Sequence, residues 1–190
     1  PPPPPTLFPY TTLFRSILER INSNTKKATN FNQWKNTNDV IKWFSDIDNK
    51  NGYSFICFDV VEFYPSISEE LLTKALDFAA QYNTITDDER HTICHTKKSI
   101  LYNCQIPWCK RNINNFDVTM GSYDGAETCE LIGLFMLSQL QNLGINVGLY
   151  RDDGLAICDK SPREIEQIKK NMCSIFTDNK LRITIEANLK

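Results

Sequence analysis

The sequence predicts an α+β fold, an antiparallel sheet with helices packed on one face. Three observations carry this expectation. Residues 53–61 form a nearly continuous apolar, aromatic and β-branched run, the composition of a buried central strand. Two short apolar stretches, 146–150 and 155–158, flank Arg151-Asp152-Asp153-Gly154 as the arms of a hairpin flank its turn. Helical signals separate these strands in the order strand, helices, hairpin, helix, strand, which suits a sheet covered by helices.

The elements follow in order along the chain. It opens on five prolines without a methionine, and residues 9–16 match the in-frame translation of a common sequencing adapter. Residues 1–16 are therefore expected to be an adapter-derived, disordered leader. Residues 17–30 suit a short helix and a loop. Residues 37–48 read as a helix with Thr37, Asn38 or Asp39 as its cap and Val40, Ile41, Trp43 and Phe44 as its apolar side. Asn51-Gly52 marks a turn before the central strand. A second helix should run from Ser68 to about Gln81, capped by Ser66 or Ser68, with acids in its first turn. A third is expected over 87–102, capped at Thr86 or Asp87. Residues 121–125 are a loop, and 126–143 a long apolar helix stopping at Gly144. Ser161-Pro162 opens a helix to about Thr177. Residues 181–187 alternate apolar and polar, a strand with one wet face. The last residues stop without a turn signal and read as a cut end.

Composition sets bounds on function. The 190 residues suit one domain, with 41% hydrophobic and 23% charged residues, as in ordinary soluble globular proteins. There is no run of 18 apolar residues and no secretory signal, so no membrane partner is expected. A net charge of -2 by itself argues against a phosphate-gripping surface. Seven cysteines, several within apolar stretches, suit reduced thiols in an intracellular protein. His91, His95, Cys104 and Cys109 are a looser alternative, a zinc site whose cysteine spacing is wider than usual.

The chemistry is carried by carboxylates in apolar surroundings. Asp59 follows Phe55-Ile56-Cys57-Phe58, and Asp152 and Asp153 sit between two apolar arms. Unpaired charge there is costly, and a cation is its natural partner. If the two strands are neighbours the carboxylates converge, a donor set that suits hard ions such as Mg²⁺. Asp-Asp-Gly alone is also a good turn, and a lone Asp at a strand end is often a cap. Two further features favour the joint reading. Tyr64 lies five residues after Asp59, and Met120-Gly121-Ser122-Tyr123-Asp124-Gly125-Ala126 leads into the long helix between the acidic sites.

Together these strings resemble motifs A, B and C of reverse transcriptases. Asp59-x4-Tyr64 resembles motif A, Gly121-Ser122 motif B, and Tyr150-Arg151-Asp152-Asp153 the Tyr-x-Asp-Asp box of motif C. The resemblance covers residues 17–190 and implies a polymerase palm with a remnant of the fingers and no thumb. It implies that Asp59 and Asp152 ligate two Mg²⁺ (or Mn²⁺) ions, that Asp153 supports them, and that the Val60 carbonyl adds a ligand. Tyr64 would be the steric gate against a 2′-hydroxyl. Gly121 and Ser122 would approach the template base and incoming nucleotide. Lys190 would protonate departing pyrophosphate. The implied partners are a primer–template and deoxynucleoside triphosphates. Motif B lacks the Pro-Gln pair of retroviral enzymes, and the 121–127 run looks more like eukaryotic mobile-element enzymes, Penelope-like or related. The implied activity is RNA-directed DNA synthesis in an intact parent, with these 190 residues inactive alone. A catalytically dead structural fragment and a palm-type RNA polymerase are the alternatives.

Overall fold

A computed structural model describes residues 9–48, 52–98, 100–109 and 116–188. Residues 1–8, Asn51 and Lys190 lie outside these, and with them part of the expected leader, half of the first turn and the expected pyrophosphate lysine. The chain runs through α1 (Pro9–Thr29), β1 (Asn32–Gln33), α2 (Thr37–Ser45), β2 (Ser54–Val60), α3 (Phe63–Ser66), α4 (Glu69–Ala79) and α5 (Asp87–His95). It continues through β3 (Leu101–Asn103), β4 (Ile106–Trp108), α6 (Gly125–Leu140), β5 (Asn146–Tyr150), β6 (Asp153–Cys158), α7 (Pro162–Asp178) and β7 (Ile183–Asn188). The main sheet has the strand order β1-β5-β6-β2-β7, and β3-β4 is a separate hairpin. The sheet is antiparallel except at its edge, where β1 runs parallel to β5.

The central strand corrects one expectation. β2 is buried on one face only: Ser54, Ile56, Phe58 and Val60 point inward, Cys57 is exposed, and Phe55 and Asp59 are half-buried. Ile56, Phe58 and Val60 join the main core with Leu18 and Ile21 of α1, the apolar sides of α4 and α6, and Met172 and Phe176 of α7. α6 is buried almost all round, as a helix apolar on every side must be. The opposite face of β2 is partly roofed by α2. Trp34, Trp43 and Ile157 form a second cluster there, with Phe44 and Phe55 against it. The Trp34 and Trp43 rings meet edge-on at 5.0 Å. The helices therefore cover chiefly one face, and the end of the other face stays open beside Cys57 and Asp59.

Local chemistry sets the helix limits. α2 is capped by Asn36, one residue before the expected candidates, because its side chain accepts from Asp39 N. Ser68 caps α4, while Thr86 with Glu89 and Ser161 with Glu164 form capping boxes on α5 and α7. α5 ends at His95, short of the expected 102. Lys98 there bridges to Phe116, and Cys104 and Gln105, at φ 49° and 66°, reverse the chain between β3 and β4. α1 begins at Pro9 and takes in residues 9–16, for which the sequence predicts no packing. Arg15 lies 2.9 Å from Glu19, one turn on, and 2.9 Å from Glu127 of α6.

Tyr150 pairs with Asp153, so the β5–β6 loop is only Arg151-Asp152, with Arg151 in the left-handed region at φ 56°. Gly154, expected in that turn, instead lies within β6 opposite Phe58. A Cβ there would fall 2.0 Å from the Phe58 Cζ, inside the ring.

Candidate functional site

The register of β2 against β6 assembles the acidic residues. Asp59 is directly opposite Asp153, and the Val60 N–H donates to the Asp152 carbonyl at 2.9 Å. Three carboxylates, from β2, β6 and the β5–β6 loop, thus share one end of the sheet. Asp59 and Asp152 are half-buried and Asp153 is exposed, so the deep burial that the sequence suggested is not what the fold provides. The strand's alternation explains this, because Asp59 points away from the core that holds Phe58 and Val60. Among the described residues no cation pairs with any of the three. Burial, then the negative charges of Asp152 and Asp59, raise the Asp153 carboxyl above its usual range. A recess of about 380 Å³ lies over the site, lined by Cys57, Asp59, Asp153, Leu155, Thr184 and Glu186.

These donors suit a hard divalent ion by their chemistry: carboxylate oxygens, mutually repelling, without a competing cation. Among the described residues the side chains are not closed into a group of three metal-holding ligands. Val60, expected to lend its carbonyl, is fixed beside the carboxylates by its N–H, with its side chain in the core.

Tyr64 reaches the site through a sharp reversal. Glu62, at φ 50°, turns the chain out of β2 and into α3, which buries Phe63 and Tyr64. The Tyr64 hydroxyl donates to the Cys129 thiol of α6. Burial raises the pKa of Tyr64 and pushes Cys129 up to about 12, with Asp152 and Arg151 in electrostatic reach of both. Gly121 and Ser122 fall in the loop that the sequence places before the long helix. They lie in the turns before α6, with Gly121 at φ 87° and Ser122 N bonded to Thr119 O at 3.0 Å. The turn lies beside Tyr64: a Cβ added to Gly125 would come within 3.7 Å of Tyr64 Cε1, and within 2.6 Å of Ser122 Oγ.

His91 and His95 stack at 5.9 Å on the exposed side of α5, and Cys104 and Cys109 are exposed. They make no metal group among the described residues, and the described cysteines are free. A pair missed by the sequence reading lies beneath the turn, where buried Lys97 meets Asp124 at 2.5 Å. Two lysines in a row at a helix end read as surface, and no periodicity marks the first as buried.

A scan against protein-family models and a search of curated proteins each returned no match. Solved structures do match. Apo telomerase from Candida tropicalis, truncated from its C-terminal domain, superposes with a TM-score of 0.68 at 15% identity, over 96% of this chain and 41% of that one. Telomerase from Candida albicans, in complex with a TWJ fragment of telomeric RNA, gives 0.68 at 12% identity, over 95% and 34%. The fold is reverse-transcriptase-like. The chain spans about 41% of the length of the first of these telomerases. Among the described residues no helix is long and apolar enough to cross a membrane.

Proposed function

We propose that this chain is the palm of an intracellular RNA-directed DNA polymerase encoded by a mobile element, with a remnant of the fingers before it and the thumb supplied elsewhere in the parent protein. One observation carries the reading: Asp59 stands directly opposite Asp153, beside Asp152, and no cation pairs with them among the described residues. The similarity in fold to telomerase supports it. Two bound Mg²⁺ ions would supply Lewis-acid stabilisation of the attacking and leaving oxygens in phosphoryl transfer. Asp59, Asp152 and the Val60 carbonyl would hold them, with Asp153 in support. Asp59 and Asp153 stand on neighbouring strands and Asp152 is in the adjoining two-residue loop, so little reorganisation is needed to bring them together. Tyr64 would place its ring under the incoming sugar and disfavour a 2′-hydroxyl. Gly121 and Ser122 would line the template–nucleotide contact. The partners are a primer–template and deoxynucleoside triphosphates.

The test is primer extension by the parent protein on an RNA template. Asp152→Asn should lower extension by about three orders of magnitude, the loss of several kcal/mol of charge stabilisation, without lowering the melting temperature. Undiminished extension would sink the assignment. A wild-type parent that extends with ribonucleotides as readily as with deoxynucleotides would make the protein an RNA polymerase instead.

A further inference from the structure

Lys97 is 2% exposed, an unusual place for an ammonium group. Its Nζ lies 2.5 Å from Asp124 Oδ2, and Thr96 Oγ1 lies 3.5 Å from the same oxygen. The Lys97 carbonyl accepts from Asp117 N at 2.7 Å. The end of α5 is thus tied to both ends of the segment that leads into α6. Asp124 occupies the N-cap of α6, yet its side chain makes no capping bond, because it is turned toward Lys97.

A buried ion pair of this kind is weak evidence of stabilisation, since an apolar pair of similar volume often serves as well. It does fix position. Asp124 sits between Ser122 and Gly125, and the turn is packed tightly on itself there: a Cβ on Gly125 would lie 2.6 Å from Ser122 Oγ and 3.1 Å from Thr119 O, with Tyr64 Cε1 next at an ordinary contact distance of 3.7 Å. Moving Asp124 therefore moves the 121–125 turn relative to Tyr64.

We propose that Lys97 is a positioning residue for the nucleotide site, holding the 121–125 turn against Tyr64 through Asp124 and so setting sugar selection. The proposal rests on the polymerase reading above. Neither Lys97 nor Asp124 touches the reacting atoms; both act through the turn.

The variants are Lys97→Met, which leaves a buried carboxylate unpaired, and Lys97→Met with Asp124→Asn, which removes both charges at nearly constant shape. The single variant should melt well below wild type, and the double variant should recover most of that loss. A purely charge-balancing pair would recover everything in the double variant. A positioning pair would not: amide exchange over 119–126 should stay about tenfold faster than wild type. In the parent, the double variant should keep a deoxynucleotide KM raised about fivefold and a reduced preference over ribonucleotides, with kcat changed far less. Wild-type exchange and wild-type KM in the double variant would overturn the proposal. A wild-type parent that fails to extend primers would sink the polymerase reading instead, and the exchange rates would still decide whether Lys97 holds the turn.

Discussion

Replacing Gly154 by alanine tests why a glycine follows the two aspartates. A turn glycine would be there for its backbone freedom, and asparagine would do nearly as well. Gly154 is not in the turn. It pairs with Phe58 of β2 and Leu149 of β5, and its φ is not positive. An alanine Cβ would lie 2.0, 2.3 and 2.4 Å from Cζ, Cε2 and Cε1 of Phe58. The ring has little room to retreat, being 4% exposed with its edge on Phe176 at a centroid distance of 5.7 Å. Overpacking a close-packed site costs about 1–3 kcal/mol, and contact with three ring atoms places this case near ~3 kcal/mol. For a domain of this size that is a fall of roughly 6–12 °C in melting temperature. Urea and thermal unfolding of Gly154→Ala, Phe58→Leu and the double variant would measure it. With the ring gone, the added methyl should cost under about 1 kcal/mol, giving a coupling of about 2 kcal/mol. A Gly154→Ala protein within about 0.5 kcal/mol of wild type, or strict additivity, would refute the packing account.

The other predictions are briefer. Because Asp153 binds its proton more tightly folded than unfolded, its contribution to stability is present below the unfolded value of about 4 and is lost as pH rises through the raised folded value. Asp153→Asn should therefore be more stable than wild type at pH 7 in urea titrations, with the gap closing below about pH 4; equal stability at pH 7 would contradict the crowding of charge. Mg²⁺ at ten times its dissociation constant should stabilise the wild-type chain by about 1.4 kcal/mol in a thermal-shift assay and Asp59→Asn by much less; an equal response would remove Asp59 from the ligand set. Tyr64→Val should raise ribonucleotide incorporation in the parent, and should also cost about 2–4 kcal/mol because the ring is buried and bonded to Cys129. Asn36→Ala should cost about 1 kcal/mol in chemical denaturation through loss of the α2 cap.

Much of this architecture is legible in the residues. The order of strands and helices follows from periodicity, and Ser68, Thr86 and Ser161 all cap the helices expected of them. The convergence of Asp59 with Asp152 and Asp153 follows once the two apolar runs pair. What stayed hidden depends on long-range contacts. β1 has two residues and exists because β5 offers it an edge. α3 follows a left-handed Glu62 that no composition rule marks. Phe55 and Cys57 read as buried on both sides, but the cover over Phe55 is α2, and nothing in the local sequence says how far α2 extends. The burial of Lys97 is decided by where Asp124 lands, 27 positions away in sequence.

The one-sided burial of β2 has a consequence for the order of events at the sheet. Asp59, Asp153 and Glu186 line one recess on the uncovered face, and none has a cationic partner among the described residues. To an approaching polyanion that surface is a like-charged wall. Repulsion of this kind is relieved only when counter-ions collect there, and at low ionic strength it reaches over tens of ångströms. On the proposed polymerase reading, divalent cations would then serve as admission as well as chemistry: the face would accept a phosphate backbone once ions had gathered, and turn it away before.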